Sequence, residues 1–201
     1  MRKTKTVVCA RGKRDFKWSL QVSWTIILVA GLLGTPLKAS ANESSGVPSI
    51  AGVVAAVHDG DTFTIGKQKI RVFGIDAPEL NQQCGADAVH ARGPSPCVPC
   101  GHQSRDALSH LIAGKEVTCT KRGQSYDRMV AECRFGELNI GLWMLSHGEA
   151  VTYRQFLKKR DRRDYLGAEA AAKGERAGIW SQTFIPPADW RRHKMRLECE
   201  R

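Results

Sequence analysis

The stretch 57–80 constrains the fold of this chain most, because it places acidic residues at both ends of a short β-type ribbon. Two runs rich in β-branched and aromatic residues, 63–65 and 69–75, flank a connection of three residues that includes glycine. Such a pattern predicts a β-hairpin. The hairpin would fold Asp76, at its far end, back towards Asp61 at its beginning.

Both ends of this ribbon carry turn-forming motifs. Asp59-Gly60-Asp61-Thr62 precedes it, and the glycine predicts a tight turn with positive φ. Asp76-Ala77-Pro78-Glu79 follows it, and the proline stiffens the turn and disfavours helix at the residue before it. Aspartates in turns usually face water, and we assign that role to Asp59.

The remaining acidic residues of these motifs, Asp61, Asp76 and Glu79, are candidates for one shared site. Arg71 lies on the ribbon between them. Carboxylate oxygens suit hard divalent cations, and a forked guanidinium suits a phosphodiester. The combination predicts phosphoryl chemistry with a bound cation.

These motifs resemble those of the thermonuclease, or staphylococcal nuclease-like, family. The resemblance covers about 50–181 and rests on motifs in the family's order: Asp59-Gly60-Asp61-Thr62, Arg71, Asp76-Ala77-Pro78-Glu79, Tyr126-Asp127-Arg128, Glu169-Ala170 and Gly178-Ile179-Trp180. It implies an α+β fold with a small five-stranded OB-type antiparallel barrel and about three packed helices.

The resemblance also implies roles for individual residues. Asp61 and Asp76 would bind one Ca²⁺, with the backbone carbonyl of Ala77 as a further ligand, and Mg²⁺ is the alternative cation. Glu79 would orient or deprotonate the attacking water. Arg71 and Arg128 would grip the phosphoryl oxygens. These five residues and Ala77 would together cleave DNA or RNA, mostly single-stranded, and leave 3′-phosphates.

Two tyrosines and one departure from the family pattern complete the candidate site. Tyr126 and Tyr153 are candidates for stacking on bases. Asp127 stands where staphylococcal nuclease has glycine, and its carboxylate would pair with Arg128 and weaken the grip on phosphate. Ala77 stands where that enzyme has threonine, which a ligand supplied by the backbone tolerates.

The first 41 residues have the form of a signal peptide, with a basic front, a short apolar run and Ala39-Ser40-Ala41 as the cleavage motif. An uncleaved anchor is the alternative. This segment holds eight basic residues and one acidic residue, whereas the whole chain has a net charge of +11. The remaining 160 residues carry only +4, which mildly favours anionic partners.

We divide the rest of the chain into a flexible leader, 42–49, a nuclease domain, 50–184, and a basic C-terminal tail, 185–201, expected to be mobile. Apolar spacing and capping residues predict helices at 103–112, from Asn139 onwards and at about 155–173. The protein is expected to be a periplasmic or secreted monomer with no stable membrane association once processed.

Six cysteines remain after the signal peptide, which in an exported protein predicts disulfides. Cys119 and Cys133 flank one turn on two predicted strands and should form a bridge. Cys84 should pair with Cys97 or Cys100, which leaves Cys199 with the other of these or free. The alternative is a zinc site at the Cys97-x-x-Cys100 motif, with Cys84, His90 and His102 nearby.

Three functions therefore compete: an exported Ca²⁺-dependent nuclease, a non-catalytic barrel that binds nucleic acid or protein, and an interaction protein stapled by disulfides or zinc. The retained acids and arginines favour the first.

Overall fold

The computed structural model describes residues 47–85 and 97–193. All of them belong to one compact unit, 44–201. The predicted signal peptide and most of the predicted leader lie outside the described residues, as do His90 and Cys199. Within the described ranges, none of the helices combines the length and the apolar character needed to cross a membrane.

Five strands form a closed barrel: β1 (Ser49–Val57), β2 (Thr62–Ile65), β3 (Gln68–Val72), β7 (Glu116–Ser125) and β8 (Arg128–Phe135). The long strand β1 pairs with β2 at one end and with β7 at the other, both antiparallel, and a register shift at 54–56 separates the two pairings. β7 pairs antiparallel with β8, and a parallel pairing of β3 with β8 closes the barrel. The predicted OB-type barrel is confirmed, and its closing pair is the one parallel contact between these five strands.

Alternation of side chains fills the barrel interior. Along β8, Met129, Ala131 and Cys133 are buried while the residues between them are at least partly exposed. Cys119 and Cys133 are cross-strand partners, are fully buried, and form a disulfide. Because side chains alternate across a strand, this disulfide belongs to the barrel core.

The described residues contain the helices α1 (Cys100–Ile112), α2 (Ile140–Ser146), α3 (Lys159–Gly174) and α4 (Pro187–His193). Of these, α1 packs on β1, α2 packs on β8, and α3 packs on α2. Asn139 caps α2, since its side-chain oxygen accepts a hydrogen bond from Leu142 N at 3.0 Å. The third predicted helix begins later than expected, because Arg154–Phe156 form a separate 3₁₀ turn. The described residues thus contain four helices where about three were predicted.

Several two-residue strands pair with each other or with the barrel strands and fix the loops that connect the main elements. β4 (Ile75–Asp76) pairs with β10 (Val151–Thr152), and β9 (Leu138–Asn139) extends the sheet beside β8. β5 (Cys84–Gly85) pairs with β6 (Cys97–Val98). Gly85 also forms an isolated antiparallel β-bridge with Thr183. The chain therefore returns, after α3, to the segment that holds β5.

A second apolar cluster lies under this loop. The disulfide between Cys84 and Cys100 packs with Ile179, Trp180 and Phe184. The sequence left the partner of Cys84 open between Cys97 and Cys100, and the structure pairs it with Cys100. Cys97 is disulfide-bonded as well. Because all three cysteines are oxidised, none offers a thiolate for the alternative zinc site.

The segment predicted as a mobile basic tail begins with ordered structure. Ile185 is buried, and α4 follows directly after Pro186. The apolar cluster and the bridge to Gly85 hold this segment against the body of the protein, which its basic composition did not reveal.

Candidate active site

The β2–β3 hairpin brings the two predicted metal-binding aspartates to one arginine. Thr62 and Arg71 are paired across the hairpin, so Asp61 lies beside Arg71 at the open end of the ribbon. Arg71 Nη1 donates to Asp61 Oδ1 at 2.9 Å, and Nη2 donates to Asp76 Oδ1 at 2.9 Å. Both aspartates are almost fully buried. The structure therefore brings Asp61, Asp76 and Arg71 together, as the hairpin predicts.

Local hydrogen bonds hold Asp61 in place. Its Oδ1 accepts from the hydroxyl of Thr62 at 2.8 Å, and its Oδ2 accepts from the backbone N–H of Ala77 at 3.2 Å. The second bond ties the Asp-Ala-Pro-Glu turn to the start of β2. One carboxylate thus links both acidic motifs.

Gly60 is required for close packing and not for its backbone conformation. The sequence predicts a positive φ at Gly60, but its φ is not positive in the structure. A Cβ at this position would overlap the side chains of Ser104 and Ala77. The glycine therefore lets α1 and the Ala77 turn approach the first acidic motif.

The sequence predicts that Asp59 is a turn residue facing water, whereas the structure leaves it only partly exposed. Its side chain lines the pocket and accepts a hydrogen bond from Asp61 N at 2.9 Å. Burial, with a contribution from the charge of Asp61, raises the pKa of Asp59 to about 7. Because burial is the larger of the two causes, this pKa reflects mainly the partial desolvation of the Asp59 carboxyl.

The central pocket has a volume of about 220 Å³. Its lining contains five of the six predicted catalytic and metal-binding residues and four residues that were not predicted for the site: Asp59, Asp61, Arg71, Ala77, Pro78, Glu79, Ser125, Arg128 and Arg191. Among the predicted residues, Asp76 contacts this set through Arg71. Acidic and guanidinium groups thus face each other across one cleft.

Glu79 lies at the rim of this pocket. A buried glutamine fixes its backbone, since Gln82 Oε1 accepts from Glu79 N at 3.2 Å and Gln82 N donates to Glu79 O at 2.7 Å. The Glu79 side chain is about one-third exposed, at 34%, and it pairs with Arg191. It is therefore both held in position and accessible to water.

Arg191 contacts the predicted acidic residues, although its sequence position did not predict a place in the site. Its guanidinium donates to both carboxylate oxygens of Asp76 at 2.9 Å and to Glu79 Oε1 at 2.5 Å. Burial raises the pKa of Asp76, and the Arg191 guanidinium opposes that rise. No local pattern marks this arginine, because several other basic residues surround it in the sequence.

Arg128 faces the pocket from the start of β8, and its Nη1 lies 3.4 Å from the hydroxyl of Thr62. The expected pairing of Asp127 with Arg128 does not occur. Asp127 instead accepts from Lys69 Nζ at 3.1 Å, and this contact lowers the pKa of Asp127. Arg128 is therefore not neutralised by its neighbour.

The two candidate tyrosines lie in different places. Tyr126 is 93% exposed and has a φ of 54°, and it lines a shallow groove next to the central pocket. Tyr153 lines a cavity of about 260 Å³ together with Phe156 and Arg71. The Arg71 guanidinium lies 5.8 Å from the centre of the Tyr153 ring. Only Tyr153 thus directly adjoins the arginine–aspartate cluster.

The donor chemistry of the central pocket fits a hard cation. The described residues of its lining offer oxygen ligands, and none of them is a histidine or a cysteine. Within residues 47–85 and 97–193, no three histidine, cysteine or acidic residues are grouped so that they could hold a metal together. A metal here would therefore rest on Asp61 and Asp76, supplemented by the Ala77 carbonyl and water.

Comparison with known proteins agrees with this geometry. A family model described as staphylococcal nuclease homologue matches residues 69–182. A protein of Haemophilus influenzae named uncharacterized endonuclease is 30% identical over 148 residues, covering 70% of this chain and 72% of the relative. An uncharacterized endonuclease of Escherichia coli O157:H7 is 29% identical over 153 residues, covering 72% of this chain and 87% of the relative.

A third relative carries a different name. The succinoglycan biosynthesis protein ExoI of Rhizobium meliloti is 32% identical over 130 residues, covering 63% of this chain and 62% of that protein. The family model nevertheless spans more than half of the chain, and the matched span contains Arg71, Asp76, Glu79 and Arg128. The chain therefore belongs to the family of staphylococcal nuclease homologues and is a hydrolase that acts on ester bonds.

Proposed function

We propose that this protein is an exported, Ca²⁺-dependent nuclease that cleaves single-stranded DNA or RNA and leaves 3′-phosphates. One observation carries the proposal: Arg71 bridges the buried Asp61 and Asp76 in a pocket that Glu79 and Arg128 also line. This is the arrangement that phosphodiester hydrolysis requires, with anionic groups for a cation and water, and guanidinium groups for the phosphate.

The arginines would stabilise the phosphoryl group. Arg71 and Arg128 approach the pocket from β3 and β8, which the parallel pairing brings side by side. Forked donors on two sides can contact the non-bridging oxygens as their charge increases in the transition state. Since Asp127 pairs with Lys69, the positive charge of Arg128 remains available for this contact.

Glu79 would orient the attacking water and accept its proton. Its carboxylate is partly exposed at the pocket rim, and its backbone is fixed by Gln82. A general base needs both a defined position and access to water. The product with a 3′-phosphate is the one that the family resemblance implies for this arrangement.

Calcium is the proposed cation because the described residues of the pocket offer oxygen ligands and the family resemblance implies it. Asp61 and Asp76 would hold it, with the Ala77 carbonyl as a further donor. When bound, it would supply positive charge next to the phosphate and make a nearby water easier to deprotonate.

The cavity beside Arg71 supports a substrate with unpaired bases. Tyr153 and Phe156 stand edge to face with ring centres 4.6 Å apart, and Phe156 is 58% exposed. An exposed aromatic group next to a phosphate-binding arginine is suited to stacking on a single-stranded base. Beyond it, the start of α3 presents a basic exposed surface formed by Lys158, Lys159, Arg160, Arg162 and Arg163. This surface would attract the phosphate backbone of a longer substrate.

Export is proposed from the form of residues 1–41, with cleavage after Ala41. The disulfides Cys84–Cys100 and Cys119–Cys133 support an oxidising compartment, the periplasm or the medium. Sequencing the mature protein should find Asn42 at its N-terminus. A mature chain that begins before Asn42 would support the anchor instead.

The decisive experiment compares cleavage of a labelled single-stranded DNA by the parent and by Glu79→Gln, with Ca²⁺ and then with chelator. We expect the parent to cleave only with Ca²⁺ and Glu79→Gln to be slower by about 10²–10⁴-fold. Glu137→Gln, at an exposed position outside the pocket lining, is the matched control and should cleave at the parent rate. Products should become substrates for a polymerase only after phosphatase treatment.

Two outcomes would refute the proposal. Cleavage by Glu79→Gln at the parent rate, with an unchanged circular dichroism spectrum, would remove Glu79 from the mechanism. Binding of single-stranded DNA by the parent without any cleavage would favour the non-catalytic barrel.

A further inference from the structure

Arg191 occupies the carboxylates that the proposed function assigns to the cation and to the attacking water. Its Nη2 contacts Asp76 Oδ1 and Oδ2, and its Nη1 contacts Glu79. Asp76 Oδ1 also accepts from Arg71. Both oxygens of Asp76 therefore already have guanidinium partners.

The position of Arg191 is built into the fold. Gly85 and Thr183 exchange two backbone hydrogen bonds, of 2.7 and 3.1 Å. The fully buried Gln82 donates from Nε2 to the carbonyl of Ile185 at 2.6 Å. Helix α4 begins two residues after Ile185, and the backbone N–H of Asp189 donates a hydrogen bond to the carbonyl of Pro186 at 2.9 Å. The same Gln82 side chain accepts from Glu79 N, so one residue fixes both partners of the Glu79–Arg191 pair.

A divalent cation and the Arg191 guanidinium would compete for Asp76, because two positive charges held against one carboxylate repel each other. Arg191 contacts both oxygens of Asp76 and Arg71 shares Oδ1, so a divalent cation that approaches this carboxylate meets the Arg191 guanidinium at either oxygen and is expected to push it away. Each charge-assisted hydrogen bond that is broken subtracts from the affinity for the cation. Removing the competing group should therefore raise that affinity.

We propose that Arg191 is an internal competitor for the metal: the C-terminal helix α4 holds its guanidinium on Asp76 and Glu79, and a divalent cation binds only by displacing it. This inference rests on the proposed metal site. It makes α4 a latch over the active site, released by Ca²⁺ and closed again when Ca²⁺ is withdrawn. The metal affinity of the protein would then be set lower than its carboxylates alone allow.

The test is calcium binding, measured by isothermal titration calorimetry on the full mature chain without substrate. Loss of the guanidinium in Arg191→Ala should tighten Ca²⁺ binding by about tenfold to hundredfold. Arg191→Lys, which can contact only part of the same set, should lie between Arg191→Ala and the parent. Arg192→Ala is the matched control, because Arg192 is the next residue of α4 and its ion pair among the described residues is with Asp189, at 3.8 Å. It should bind Ca²⁺ like the parent.

Thermal unfolding provides a second measurement. Without Ca²⁺, Arg191→Ala leaves Asp76 and Glu79 short of positive charge and should melt below the parent, and Ca²⁺ should restore more of its melting temperature than it adds to the parent. If Arg191→Ala binds Ca²⁺ no more tightly than the parent, the latch is refuted. Slower cleavage with unchanged Ca²⁺ affinity also refutes it and makes Arg191 a phosphate contact.

The two proposals fail in different ways. If the parent binds Ca²⁺ and Glu79→Gln loses activity while Arg191→Ala leaves the affinity unchanged, only the latch is wrong. If neither the parent nor Arg191→Ala binds Ca²⁺, the metal site and the latch are wrong together.

Discussion

Arg71 is the residue whose replacement tests the site most directly, because one guanidinium holds two buried carboxylates. Its side chain is 12% exposed, and those of Asp61 and Asp76 are 4% and 2% exposed. Replacing it with lysine keeps the charge but removes the fork. Replacing it with alanine leaves Asp61 without its guanidinium partner, whereas Asp76 still contacts Arg191.

The structure sets the expected magnitudes. A hydrogen bond to a charged group is worth about 1.5–3 kcal/mol, so Arg71→Lys, which keeps one of two bonds, should lower the free energy of unfolding by about that amount. Arg71→Ala breaks a buried ion pair and should cost about 3–5 kcal/mol. With a urea m-value of roughly 2 kcal/mol/M, the alanine variant should unfold at roughly 2 M lower urea.

Activity should fall for both variants, because a fork that contacts phosphate cannot be replaced by a point charge. We expect Arg71→Lys to lose about 10²–10³-fold in kcat on single-stranded DNA, the usual cost of one donor that stabilises transition-state charge. Urea unfolding followed by circular dichroism gives the stability, and initial rates with saturating Ca²⁺ give the activity.

Lys69→Ala is the matched control on the same strand. Lys69 also pairs with an aspartate, Asp127, but both side chains are largely exposed, so this ion pair should contribute little to stability. If Arg71→Ala unfolds at the same urea concentration as Lys69→Ala, Arg71 does not stabilise the two buried aspartates. If Arg71→Lys cleaves as fast as the parent, the forked guanidinium is not needed for catalysis.

Two further predictions concern stability. Burial raises the pKa of Glu149 from 4.5 to about 7, so the folded state holds a proton that the unfolded state has lost between these values. The free energy of unfolding should therefore fall as pH rises through this window, by about 2 kcal/mol after allowance for partial exposure. Urea unfolding of Glu149→Gln across the same pH range should not show this fall, because the variant lacks the carboxyl. The double replacement of Cys119 and Cys133 by alanine opens a loop of about 15 residues and should cost about 3 kcal/mol, and an unchanged urea midpoint would contradict this.

Much of the barrel and part of the site follow from local sequence. The β2–β3 hairpin depends on a period of two and a glycine connection, and both act between residues close in the chain. The same holds for the Asn139 cap and for the cross-strand pair Cys119–Cys133. These features could be predicted because each is determined by neighbours within about 15 residues.

Burial of the first acidic motif could not be predicted in this way. Asp59 has the surroundings of a water-facing turn residue, and only the approach of α1 and the Ala77 turn encloses that motif. Gly60 shows the same limit, because its small size matters for packing against Ser104 and not for its own φ. Close packing depends on the path of distant segments, which periodicity does not report.

The sequence alone thus determined the ribbon, its two acidic ends and the cross-strand disulfide, because local hydrogen bonding and alternation of side chains specify them. Only the tertiary structure decided the parallel closure of β3 on β8, the partner of Cys84 and the insertion of Arg191, which lies 115 residues from Asp76. A single arginine in a basic segment carries no periodic signal. Its partner is selected by where the chain returns in space, and here the bridge at Gly85 and the buried Gln82 direct that return.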